Sequence, residues 1–213
     1  LTEILHQDST GWTGSWHRNK AHNSGTLIMG NVTDKTVDFA LEVFNGGHSG
    51  LLEGTATLNG GIAVFQNSVF DEEENCFLIF QKDKKQIRIV QKSSTWACGF
   101  GMRAHADGMY DDHLQPEKLE LAYGADNSIF TKKEQRDNFA KLVGTCYEDF
   151  AFNMQNISPI EQNVADDFEA KVFVGNVTGL ATSNEAIIMH NAAGLFWAAV
   201  IVYDGMEESF QVK

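Results

Sequence analysis

From Thr36 to Phe44 the chain alternates without a break: Val37, Phe39, Leu41 and Val43 fall on one side, with Thr36, Asp38, Ala40 and Glu42 between them. A period of two belongs to a strand with one buried face, and it constrains the fold more than any other feature. Asn45-Gly46-Gly47 ends that strand, and Leu52–Leu58 alternates again with Glu53, Thr55 and Thr57 outward. Asn59-Gly60 and then Ile62–Gln66 follow, a strong hairpin signal. Cys76–Gln81 and Gln86–Gln91 pair across Lys82–Lys85. Thr26–Gly30, an opening strand around Trp12 and Trp16, and Arg103–Ala106 with Met109-Tyr110 bring the count before residue 113 to about eight, with no convincing helix. Strands this short need two packed layers or closure to bury their apolar faces. A small antiparallel barrel is preferred to a sandwich, because closure also removes the edges.

The period changes beyond Gln115-Pro116-Glu117. Thr131-Lys132-Lys133-Glu134 reads as a capping box. Phe139, Val143, Cys146, Phe150 and Met154 keep helical spacing, interrupted at Gly144, so one bent helix or two are expected. Ser158-Pro159 restarts the chain, and residues 168–175, 185–190 and 195–203 read as strands, with Glu208–Val212 as a candidate last one. The expected fold class is mainly β with an α+β second domain. A small antiparallel barrel spans residues 10–113; helices followed by an antiparallel sheet span residues 125–213.

Charge narrows the partners. Lys and Arg total 16 against 29 Asp and Glu, a formal net charge of -13. Residues 1–113 carry 9 basic and 14 acidic groups, and residues 114–213 carry 7 and 15, so both halves are acidic. Such a surface repels a phosphate backbone, and no basic stripe offsets it, which argues against nucleic acid. Solubility alone accounts for such a charge, and so does a cationic partner. No run of apolar residues is long enough to span a membrane as a helix. The chain opens on Leu1 and not Met, which reads as a trimmed or mature form. The absence of a leader therefore says nothing about export, and leaves room for a lipid anchor in a full-length precursor.

Three cysteines occur, Cys76, Cys98 and Cys146. If the strands near Cys76 and Cys98 are neighbours, the two sulfurs can meet. A bridge would close a loop of roughly 20 residues and contribute about 3 kcal/mol; the alternative is two buried thiols. Cys146 lies on the helical apolar stripe and reads as a buried free thiol.

Chemistry-bearing motifs are scarce. There is no G-x-S-x-G elbow, phosphate-binding loop, H-E-x-x-H helix or EF-hand loop. Gly99-Phe100-Gly101 lacks a following helix pattern, and the cysteines lack zinc spacing. The segment His105–His113 places two imidazoles and three carboxylates within nine residues. His105, Asp107 and His113 could ligate a metal only by converging; Asp107-Gly108 is equally turn chemistry, and a solvated linker is the preferred reading. The run Asp71, Glu72, Glu73 and Glu74 suits a calcium clamp or a protein contact, against a plain solvated turn. Trp12, Trp16 and Trp96 are the candidate ligand-binding residues, provided they share a barrel mouth; a packed core is the competing reading.

The segment Gly14–Tyr110 resembles a lysozyme-inhibitor-like β-rich domain of uncharacterised exported and lipid-anchored bacterial proteins. The resemblance rests on Gly14–Trp16, Gly50–Ala63, Cys76–Phe80, Cys98–Gly101 and Ala106-Asp107-Gly108 with Tyr110. Phe130–Asp204 is similar to companion regions, through Leu142-Val143-Gly144, Tyr147 with Phe150, and Ile187–Met189 with Trp197. The opening Gly-Ser-Trp also resembles the first strand of lipocalin-like and avidin-like barrels. These likenesses imply an extracytoplasmic protein, secreted or attached to the cell envelope. The function expected is non-catalytic binding without a cofactor, with a cationic protein such as a lysozyme-like enzyme, or an envelope component, as partner. The alternatives are a small-molecule-binding barrel and a structural envelope protein.

Overall fold

The computed structural model describes residues 11–20, 22–67, 74–113, 118–125, 128–160, 169–204 and 209–212. The chain divides into two compact units, Leu1–Glu117 and Lys118–Lys213.

The first unit is a closed eight-stranded barrel in which consecutive strands are antiparallel neighbours. Its strands are β1 (Gly14–Lys20), β2 (Asn23–Gly30), β3 (Thr36–Asn45), β4 (His48–Asn59), β5 (Ile62–Asn67), β6 (Cys76–Asp83), β7 (Gln86–Gln91) and β8 (Gly108–Asp111). The ring closes through His17 of β1 opposite Asp111 of β8. The alternation that predicts β3 is realised: Val37, Phe39, Leu41 and Val43 are all buried. The β4–β5 hairpin has Asn59 opposite Ile62, so its central residues are Gly60-Gly61, one position beyond the expected Asn-Gly pair. Gly60 takes φ +61°, as the first central position of a primed hairpin turn demands.

An eight-stranded barrel is just wide enough for side chains to fill it, and here they do. Trp16, Leu27, Phe39, Phe65, Phe80, Ile87 and Tyr110 belong to one buried cluster, with the Phe39 ring centroid 5.0 Å from those of Phe65 and Phe80. Glycine makes room where rings crowd the wall. A Cβ at Gly54 would run into Phe65, and one at Gly50 into Phe100.

Residues 92–107 form a cap over one barrel end. Cys98 is bonded to Cys76 at the start of β6, with Cα atoms 4.6 Å apart, so the expected disulfide is present. Gly101 N–H donates to Ser49 O (2.9 Å), Asn45 Nδ2 to Arg103 O (2.9 Å), and Ala106 N–H to Gln91 Oε1 (2.9 Å). Phe100, Ala104 and Ala106 are buried beneath it. The expected strand over Arg103–Ala106 is therefore not one. Its backbone is spent on these cap contacts, and strand pairing resumes only at Gly108.

The second unit begins with α1 (Lys133–Val143), passes through a 3-10 turn at Gly144–Cys146, and continues as α2 (Tyr147–Asn153). Gly144 takes φ +56°, which separates the two helices. A five-stranded antiparallel sheet follows, in the order β13-β12-β11-β10-β9. Its strands are β9 (Asn156–Ile160), β10 (Lys171–Asn176), β11 (Glu185–His190), β12 (Phe196–Asp204) and β13 (Ser209–Val212). β9 is unexpected from the sequence; it holds Pro159 on an edge strand, where a missing N–H is tolerated. The helices cover one sheet face. Phe139 of α1 packs against Phe150 of α2 (5.3 Å) and Phe196 of β12 (5.7 Å). His190 lies parallel to Phe173 at 5.8 Å, with its Nε2 2.8 Å from Ile129 O. Cys146 is a free thiol but only half-buried, because it sits in the 3-10 turn and not within a helix.

Candidate functional site

The candidate site in the second unit is a cleft of about 340 Å³ where residues 118–120, α1 and the start of α2 meet. It is built around Arg136, which lies on the inner side of α1. The helix start is fixed by Gln135, whose Oε1 accepts from the N–H groups of Thr131 (2.9 Å) and Lys132 (3.2 Å). The expected cap is thus displaced by one residue: Thr131 O–H donates to Gln135 (2.8 Å), and Glu134 takes no part in these bonds.

Arg136 is nearly buried and paired with two acids. Nη1 donates to Glu120 Oε2 at 2.7 Å, Nε and Nη2 donate to Asp137 Oδ1 at 3.2 and 3.1 Å, and the guanidinium lies 4.8 Å from the Tyr123 ring centroid. Burial opposes its charge, but the Asp137 hydrogen bond and the charge of Glu120 outweigh it and raise the pKa above the ordinary arginine value. Asp137 is held below the usual carboxylate range, first by its bond from Lys133 Nζ (2.7 Å). Tyr147 O accepts from Leu121 N–H (3.1 Å), so its own proton is left to donate. Burial raises the Tyr147 pKa, which keeps the phenol neutral. Glu148 is exposed at the first turn of α2 and forms no ion pair with another described residue. The cleft is also lined by Lys118, whose ammonium shares Glu120 with Arg136 (3.8 Å), while Lys133 shares Asp137, so the charges around Arg136 balance and Glu148 is the exposed carboxylate at the rim.

The residues singled out from sequence fall elsewhere. Trp12 and Trp16 are buried members of the barrel core, whereas Trp96 is 63% exposed on the cap. The three indoles therefore do not share one solvent-facing surface. Asp71, Glu72 and Glu73 lie outside the described residues. Glu74 is exposed, and its Oε1 accepts from Ser94 N–H (2.8 Å), tying the cap's first turn to the start of β6.

In the His105–His113 segment, His105 Nδ1 lies 3.8 Å from Asp107 Oδ2 and its Nε2 lies 2.9 Å from Asn23 Nδ2. His113 stays beside Asp112. Among the described residues, no three of His, Cys, Asp and Glu come together as a metal site would require. What the segment surrounds is Arg18, which sequence reasoning passed over. Arg18 is 2% exposed and donates to the carbonyls of Ser24 (3.2 Å), His105 (2.8 Å) and Asp107, with its guanidinium 5.2 Å from the Tyr110 ring centroid. Burial lowers its pKa and raises that of Tyr110 to about 12. A signal for Arg18 did exist: it is two residues from Trp16, hence on the same inward face of β1.

No family model, curated protein or solved structure matches the chain. Among the described residues no helix is long and apolar enough to cross a membrane.

Proposed function

We propose that this is a non-catalytic extracytoplasmic protein whose acidic exterior captures a cationic protein, such as a lysozyme-like enzyme. The observation that carries this reading is the packed and stapled barrel. Rings occupy the interior, and the cap is bonded covalently across one end. Recognition is therefore assigned to the outer surface, which belongs to a chain of net charge -13. Opposite charge speeds encounter and orients the partner. The disulfide supports an oxidising compartment, and the choice of a lysozyme-like partner rests on the sequence resemblance read over Gly14–Tyr110 alone. The filled barrel weighs against a small-molecule carrier.

Binding of a lysozyme, as a cationic probe, by isothermal titration calorimetry tests the reading. Saturable binding should weaken at least tenfold between about 50 and 200 mM salt. Glu148→Gln and joint neutralisation of Asp71–Glu74 should each weaken it further. Equal affinity for a lysine-rich peptide of the same charge, or affinity indifferent to salt, would overturn specific capture.

A further inference from the structure

The outward wall of strands β2, β3 and β4 carries the inference. Alternation sends Val37, Phe39, Leu41 and Val43 into the barrel, so Asp38, Ala40, Glu42 and Phe44 point outward. The pairing register sets Ile28, Ala40 and Glu53 in one row across the three strands, and Thr26, Glu42 and Leu51 in the next. Leu51 is 61% exposed and Ile28 55%, and Glu42 and Glu53 are exposed beside them. Single exposed apolar side chains are ordinary on a protein surface; these two border open carboxylates. Glu42 and Glu53 are diagonal neighbours about 7 Å apart, and neither forms an ion pair with another described residue. Asp38 on the same wall is committed, accepting from Thr55 Oγ1 (2.7 Å) and Asn31 Nδ2 (3.0 Å). Lys35, in the turn ahead of β3, is the only Lys or Arg from residue 23 to residue 67. Lys82, Lys84, Lys85 and Arg88 instead crowd the β6–β7 hairpin, and in a ring of eight strands β7 lies across from β3. The barrel wall is therefore polarised in charge.

We infer that this wall is the docking surface for the cationic partner, and that it takes arginine side chains whose stems lie on Leu51 and Ile28 while their guanidinium groups pair with Glu42 and Glu53. The inference rests on the capture reading above and assigns that capture to one wall of the barrel. An arginine joins an apolar stem to a flat charged head. Leu51 stands opposite Glu42 and two residues before Glu53, so a stem laid on Leu51 brings its head to either carboxylate. Guanidinium and carboxylate then pair through two parallel hydrogen bonds. Binding also relieves the repulsion between two like charges that the free wall leaves standing. The polarised barrel orients the encounter: a cationic partner is repelled from the β6–β7 hairpin and drawn to β3 and β4. A phosphate backbone brings the wrong sign to this wall.

Amide chemical shifts of the isotope-labelled full chain test this, with a lysozyme and a peptide of alternating Arg and Ser as separate probes. Both probes should move the amides of Ile28, Glu42, Leu51 and Glu53 first. Glu42→Gln together with Glu53→Gln should weaken calorimetric affinity for either probe at least about tenfold. Neutralising Asp71–Glu74 removes more charge and should weaken it less, which separates this wall from general acidity. Leu51→Thr keeps every charge and the strand propensity; it should weaken binding about threefold and leave the salt dependence unaltered. All three positions point outward, so melting temperatures should match the parent, and Leu51→Thr carries the test should the double variant misfold. Lysozyme binding that shifts other amides, or that the folded variants leave unchanged, overturns the inference and leaves capture standing. Peptide binding here without lysozyme binding keeps the wall and overturns the lysozyme-like partner. Binding of neither probe overturns both. Shifts at these amides that follow the concentration of the chain alone make a second copy the occupant and overturn the inference.

Discussion

The barrel and the second sheet solve the same problem in opposite ways. In the barrel every strand has two neighbours, the interior is a single cluster, and a disulfide fastens the cap. In the second unit the sheet is open, and its helices cover one face. Closure removes edges and faces together, whereas an open sheet keeps both. The difference teaches how each unit buries its apolar side chains: by closing a ring in one, and by laying helices on a sheet face in the other.

Matched deletions sharpen this contrast most. Phe80 in the barrel and Phe139 in α1 are both fully buried. Truncation to Ala should cost about 5 kcal/mol at Phe80 and about 3 kcal/mol at Phe139, because an open sheet with two short helices collapses around a hole more readily than a closed ring. Denaturant unfolding would measure both, and equal losses would deny that closure makes the barrel stiffer. Next in size is the staple. Replacing Cys76 and Cys98 together by Ala should destabilise the barrel by about 3 kcal/mol and expose residues 92–107 to proteolysis. An unchanged digestion pattern would show that the hydrogen bonds of the cap suffice. Arg18→Met should then cost about 2 kcal/mol, since the carbonyls of Ser24, His105 and Asp107 lose a donor inside the barrel end. Thermal unfolding of a folded Arg18→Met protein would read it.

The smallest effect is a slope. Burial lowers the pKa of His22 and His105 in the barrel and of His190 in the second unit below the ordinary imidazole value of 6.5. The unfolded chain takes up more protons than the folded one as pH falls through 6.5. The contribution of these groups is therefore whole above that pH and declines below it. Stability measured at about pH 7.5, 6.5 and 5.5 should fall at the last step. His190→Gln should flatten the fall if the second unit dominates it, and His105→Gln if the barrel does.

Much of the barrel was legible because its strands obey one period. Val37 to Val43 and Leu52 to Ala56 announce their faces directly, and the Cys76–Cys98 pairing follows once β6 and β7 are neighbours. Other features escaped for physical reasons. β9 is five residues with a proline, too short to show a period, and it exists by pairing with β10. Arg103–Ala106 has strand-like composition, but its hydrogen bonds go to the ends of other strands. Arg18 escaped because charge is read as outward, although its parity with Trp16 says inward. The cleft had no motif to find: Glu120 and Arg136 lie 16 residues apart, and folding alone brings them together.

The position of the staple along the chain also has a consequence for biogenesis. Cys76 and Cys98 are separated by 22 residues, and both precede Cys146. When such a chain is threaded N-terminus first into an oxidising space, the native pair emerges and can join before the third thiol arrives. In a chain exported in that way, the order of the cysteines would protect the bridge from mispairing during synthesis, and moving a thiol from position 146 to a site between the other two would remove that protection.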